Sequence, residues 1–398
     1  MNNGTLIGWL GFLSAMVVLF IVSKKNLGVA MFVAAIILGI FLAPENLPLK
    51  IWENMINPST ILLAAVVGLI PLIGGVLNES GQMDRLVSNM RIGRKFFLML
   101  SPAIIGLLPM PGGALLSVPL VDKAGTGIPN EKKAGINIWF RHILYLVYPL
   151  SADLIVSTTS AEIGLYEPIP YLSVILIFAL LLGYIFLLKG DLEKMKYEEE
   201  FSPRGLILPL AALLIAPLLD ILLKTAFTLP FKELATLIAV SVSLIFAMII
   251  GRLSLVRFRN ILVKAKPWDF AFMMIGIMVF LGILKSSGAI ELFRNVPITL
   301  ESLFGIAFLL GFITGRIVTP AGIVFPIYLM KFGSITPPAF ALIYFGIFLG
   351  YVITPVHPCV SLSMASLKVD FKGYLRAVIP IVASATFLSL LALRILSL

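Results

Sequence analysis

The sequence carries very little with which to bind a metal or cross-link itself. Its one cysteine, Cys359, cannot close a disulfide within the chain. The two histidines have no ligand spacing to each other, which argues against a metal cluster. Charge is scarce too: 13% of residues are charged and 60% hydrophobic, and the mean hydropathy of +1.06 lies far outside the range of a soluble domain of this length. No HExxH, GxGD or GxSG segment occurs, so the chain is not expected to be an intramembrane enzyme. A net charge of +10 in a soluble protein would suggest nucleic acid. In a chain this apolar, the distribution of that charge across a membrane is the useful quantity.

What the chain has instead is long apolar runs. They are about 17 to 25 residues long, enough to cross a bilayer, and are separated by charged or Pro/Asn-rich breaks. They predict helices over 5–23, 28–43, 60–79, 135–160 and 169–188, then over 205–223, 233–251, 270–287, 339–366 and 374–395. The first run, "TLIGWLGFLSAMVVLFIVSKK", has no small-residue cleavage site behind it and is read as a span, not a removed signal. Two apolar segments are left over, 96–122 and 301–330, each with a Pro/Gly knot at its centre. At about 27 to 30 residues each is short for two full crossings, so each is expected to be a re-entrant hairpin. The densest charge cluster, "KGDLEKMKYEEEFSPRG", reads as a solvated linker between the halves.

Five spans per half is an odd number, so two such halves would lie in the membrane with opposite orientation. Placing Lys and Arg on this arrangement crowds them roughly three to one onto the side that holds the linker. That side is therefore expected to be cytoplasmic, with both termini outside. The expected fold class is an all-α polytopic membrane protein made of two inverted repeats. The first covers 1–188, with a hairpin at 96–122 and a broken helix at 135–160; a linker at 189–204 joins it to the second at 205–398, with a hairpin at 301–330 and a broken helix at 339–366.

The letters repeat in the same order. "LNESGQMDRL" is answered by "LKSSGAIELF", "PMPGGALLSVP" by "VTPAGIVFP", and "VYPLSADLIVSTT" by "ITPVHPCVSLS". Proline within a helix removes a backbone donor and frees carbonyls that hydrocarbon cannot satisfy, so such knots persist at depth where they line a cavity. Helix ends at a break then offer N–H groups to anions and carbonyls to cations. The expected substrate contacts are therefore Pro111, Gly112 and Gly113 in the first knot and Thr319, Pro320, Ala321 and Gly322 in the second, with Ser151, Thr354 and His357 at the helix breaks.

Charged groups inside apolar segments are functional candidates because lipid penalises them. Arg316 stands four residues before Pro320 and is expected near mid-membrane, where it would hold a substrate's negative charge. Arg141 is expected near the start of its helix, snorkelling or stabilising that end. Asp153 and His357 fall at predicted interruptions and can titrate, so either could carry a coupling proton. Ser157, Thr158 and Ser361 are added as hydroxyls that could hold a coupling ion.

Hairpin, broken helix, repeat and second hairpin in this order resemble the ion transporter superfamily, which includes gluconate permeases, citrate and dicarboxylate transporters and arsenite carriers. "SGQMDRL", "LLPMPGGALLS" and "TPVHPCVSLS" are most similar to a gluconate-permease-like branch of it. The Ser-Asn-Thr signature of the dicarboxylate carriers is missing from both hairpin tips. The resemblance implies an elevator-type secondary transporter that moves a small organic anion, coupled to H⁺ or Na⁺, across the cytoplasmic membrane. The alternative is a cation/proton antiporter with Asp153 as the exchanging carboxylate. The expected partners are the lipid bilayer, the anionic substrate, the coupling cation and a second copy of the chain, with no nucleic acid and no cofactor.

Overall fold

Backbone N–H and C=O groups in lipid must be satisfied within the segment that carries them, which leaves helices as the natural solution for runs of this length. A computed structural model describes residues 3–23, 25–107, 113–190, 197, 200–293 and 296–396. It is 81% helix, and the described residues contain no strand. The first half consists of α1 (Asn3–Ser23), α2 (Leu27–Leu42), α3 (Leu47–Ile56), α4 (Pro58–Glu79), α5 (Gln82–Ser88), α6 (Arg94–Gly106), α7 (Ala114–Ala124), α8 (Asn130–Ile143), α9 (Ala152–Ser160) and α10 (Ile169–Leu187). The second consists of α11 (Pro203–Ala226), α12 (Lys232–Gly251), α13 (Leu255–Ala265), α14 (Pro267–Ser286), α15 (Ile290–Phe293), α16 (Leu300–Thr314), α17 (Val318–Phe332), α18 (Pro337–Ile353), α19 (Pro358–Leu367) and α20 (Phe371–Leu396). Among the described residues, eight helical stretches are long and apolar enough to cross a membrane.

Among the described residues each half holds ten helices, and the positive-φ positions recur at a fixed spacing. Left-handed residues recur in pairs: Asn46 with Arg252, Gly81 with Gly288, Gly127 with Gly333, and Glu162 with Lys368. In every pair the second residue lies 206 or 207 positions after the first. Gly81 and Gly288 both have φ of 68°, a conformation that costs glycine nothing because it has no Cβ. Helix starts are set locally. Asn57 caps α4 by accepting from Ser59 N–H at 2.9 Å, with Pro58 in the first turn, where no N–H is needed. Thr299 and Ser302 form a reciprocal capping box at the start of α16.

Packing between the halves is reciprocal. Helix α2 packs on α14 while α12 packs on α4; α7 packs on α19 while α17 packs on α9; α10 packs on α18 while α20 packs on α8. The contacts also sort the helices into two groups, one of α1–α4 with α11–α14, the other of α6–α10 with α16–α20. In the second group, close approach depends on glycine. A Cβ on Gly106 of α6 would lie 1.6 Å from the Arg141 carbonyl oxygen of α8, and one on Gly311 of α16 would lie 2.3 Å from the Ile347 carbonyl oxygen of α18.

The structure adds α3 and α13, short helices with one apolar face that lie in the breaks between the predicted runs. The segment expected as one broken helix over 135–160 begins earlier, at Asn130, and is interrupted by a 3-10 turn, Leu144–Leu146, and a loop through Pro149. The stretch over 339–366 is likewise split into α18 and α19 around Pro355.

Candidate functional site

Elements from both hairpins and both breaks border a single cavity of about 470 Å³. Leu107 comes from the first hairpin, Ser151 and Asp153 from the first break, Gly315 to Val318 from the second hairpin, and His357 and Pro358 from the second break. Lys25, Asn26, Asp269 and Met273 complete the wall from the other helix group, so the cavity lies at the seam between the two. Pro111 and Gly112 lie outside the described residues. Gly113 is buried at the start of α7 and does not border the cavity.

Gly315 ends α16 in the left-handed conformation, φ 60°, and a Cβ there would come within 2.9 Å of the His357 backbone nitrogen. This close approach seats the link between α16 and α17 against the second break. Arg316 follows in that link, two residues before α17 begins. Its Nη1 donates to the Ser23 carbonyl oxygen at 3.2 Å, and among the described residues no carboxylate forms an ion pair with it. Thr319, Pro320, Ala321 and Gly322 form the first turns of α17, are buried, and stand behind the cavity wall. Pro320 is the third residue of α17, where the helix lacks a partner for the N–H anyway, so the break falls before the proline.

The first break offers opposite chemistry. Ser151 caps α9 by accepting from Leu154 N–H at 3.1 Å. Asp153, one residue into the first turn, borders the cavity with no hydrogen bond or ion pair to its carboxylate among the described residues. The other hydroxyl candidates are occupied locally. Ser157 donates to the Asp153 carbonyl oxygen at 2.6 Å, Thr158 to that of Leu154 at 2.8 Å, and the exposed Ser361 to that of Pro355 at 2.7 Å. Thr354 is fully buried and accepts from Val356 N–H at 3.2 Å. Such bonds to the local backbone are the usual fate of hydroxyls in apolar helices.

Behind the cavity lies a polar core that the sequence reading did not assemble. Arg141 is 2% exposed in the last turn of α8, where the helix dipole favours a cation, because the helix starts and stops earlier than its hydropathy implied. Its guanidinium donates to Ser117 Oγ at 3.1 Å and hydrogen-bonds Cys359. One turn back, Asn137 donates to Ser363 Oγ at 2.8 Å. The histidines, without ligand spacing in the sequence, meet in space: His142 Nε2 and His357 Nε2 lie 3.2 Å apart, with the Cys359 sulfur in the same group. Only the crossing of α8 with the second break brings together residues so far apart in the chain.

A second polar group stands at a separate cavity of about 680 Å³. The fully buried Asp220 of α11 accepts from Tyr166 Oη at 2.5 Å, Lys224 Nζ at 2.9 Å and Thr236 Oγ1 at 2.9 Å. Tyr166 lies in the turn before α10, and burial together with the Asp220 carboxylate pushes its hydroxyl up from the ordinary phenol range, so it stays a donor. This bond ties one helix group to the other. A single acid in the apolar run "LILPLAALLIAPLLDILL" was the signal that could have found it.

The chain belongs to the DUF401 family. The family model, described as "Protein of unknown function", matches residues 5–396, nearly the whole fold just described. No curated protein matches the chain in sequence. The family assignment thus gives this DUF401 protein kinship over its whole length without a chemistry, and the chemistry rests on the cavity.

Proposed function

We propose that this DUF401 protein is a secondary transporter that carries a small organic anion, with the cavity at the seam as its binding site. The observation that carries this reading is the convergence of two interrupted helices and the hairpin segments on one cavity, with Arg316 beside it free of any carboxylate partner among the described residues. Broken helices from two related halves meeting at one site are the arrangement by which transporters place helix ends around a substrate. An Arg fork can hold a carboxylate through two hydrogen bonds. The reading takes the two halves as inverted in the membrane, with five spans each, and the group of α6–α10 and α16–α20 as the part that moves against the other in an elevator motion. The linker side is taken as cytoplasmic and both termini as outside. Asp153, with no partner for its carboxylate among the described residues, supports coupling to H⁺ or Na⁺; the same observation supports cation/proton antiport as a second reading. The resemblance to the ion transporter superfamily belongs to this proposal as well.

Counterflow of radiolabelled gluconate, lactate and citrate in proteoliposomes tests it. At least one anion should exchange in the wild type, Arg316→Lys should weaken uptake, and Arg316→Ala should nearly abolish it at unchanged thermal stability. Uptake by Arg316→Ala with an unchanged apparent affinity would remove Arg316 from the site. Proton release on cation addition, lost in Asp153→Asn, would favour the antiport reading instead.

A further inference from the structure

We infer that His142, His357 and Cys359 form a binding site for one transition-metal ion of the zinc type. His142 Nδ1 lies 2.8 Å from the Ile138 carbonyl oxygen, which can only accept, so the neutral ring carries its proton on Nδ1. The His357 ring is hydrogen-bonded to the backbone of Gly315. The Gly315 N–H already donates to Gly311, which leaves its carbonyl as the acceptor. Since His357 Nε2 faces His142, the nitrogen that serves Gly315 is Nδ1. Both rings therefore aim an Nε2 lone pair at the other across 3.2 Å. Two acceptors held this close in a dry interior need a cation between them.

The third group says which cation. Cys359 stands two residues after His357, in the first turn of α19, and the sulfur and both nitrogens lie within 4.8 Å of one another. Zinc–nitrogen bonds of about 2.0–2.1 Å in a tetrahedral site put two nitrogens about 3.3 Å apart, close to the observed separation. The sulfur needs to move inward by roughly 1 Å to complete a zinc–thiolate bond of about 2.3 Å. Imidazole and thiolate donors together select borderline to soft ions over magnesium or calcium. The backbone bonds of the two Nδ1–H groups fix the ring orientations, as outer partners do around metal-bound histidines. Three protein ligands leave a fourth position open. Because His357 also borders the 470 Å³ cavity, that position is reachable from it.

The site does not depend on the transport reading, and its test measures binding alone. Full-length protein purified in detergent is stripped with a chelator and titrated with Co²⁺, then with Zn²⁺. The wild type should take up one Co²⁺ per chain with a sulfur-to-cobalt charge-transfer band in the near ultraviolet, and Zn²⁺ should displace it. Cys359→Ser should lose the band and weaken binding at least tenfold; His142→Gln and His357→Gln should lose stoichiometric uptake. Zn²⁺ should raise the melting temperature of the wild type and not of Cys359→Ser, a comparison that stands even where a histidine variant does not fold. A wild type that retains no stoichiometric metal overturns the proposal; a proton shared between the imidazoles would give that result. Uptake unchanged in both Cys359→Ser and His357→Gln overturns it as well.

Discussion

Helix α8 follows the pair α6 and α7, and α18 follows the pair α16 and α17, yet their chemistry is opposite. Helix α8, "NEKKAGINIWFRHI", buries Lys133, Asn137, Arg141 and His142. Helix α18, "PPAFALIYFGIFLGYVI", is apolar along its length and buried almost throughout. Both are backed by a close glycine contact, Gly106 behind α8 and Gly311 behind α18. The two halves thus have comparable close contacts but not the same polar groups. Tight packing is needed behind both helices, whereas the polar groups gather on one.

The sharpest test of shared geometry is to fill both seams. Gly106→Val and Gly311→Val should each cost well over ~3 kcal/mol, because the new atoms meet backbone oxygens that cannot yield. No monodisperse peak should survive detergent size exclusion, whereas Gly305→Ala, where a Cβ meets nothing within 4 Å, should behave as wild type. A tolerated Gly311→Val beside a lethal Gly106→Val would break the equivalence. Next in size is polarity placed in the wrong half. Ala341→Asn puts an amide at a fully buried position of α18 and should cost about 2–3 kcal/mol, read as a lowered melting temperature. Removing polarity from the right half costs less. Asn137→Leu strips Ser363 of its partner but also removes an amide oxygen that has no bond among the described residues, so a loss of about 1 kcal/mol is expected. Smallest is Ser361→Ala, at an exposed hydroxyl bonded only to the Pro355 carbonyl, which should shift stability by less than ~0.5 kcal/mol.

The same contrast explains what could be read from the letters. Long apolar runs and Pro/Gly knots report on local backbone, so the helices and the two interruptions were legible. The short α3 and α13 were not, because at 10 and 11 residues each falls below the length of a membrane-crossing run. Ser151, Asp153, Arg316 and His357 border the cavity because each sits at a break, which a sequence displays. His142 was missed because nothing in "WFRHIL" announces a helix end, and its partner lies in the other half of the chain. The buried Arg141 was misplaced for the same reason.

The exchange of partners between the halves also bears on how the chain is made. Helices α2 and α4 meet much of their packing surface in α14 and α12, which leave the ribosome some two hundred residues later. At a synthesis rate of roughly 5–20 residues per second, the first half waits for about 10–40 seconds before its partners exist. During that interval its helices can insert but cannot close their seams, so the unfinished half is the state most open to degradation. A chain stopped after residue 188 should be cleared rapidly by membrane proteases, and co-expression of residues 189–398 as a separate piece should rescue it.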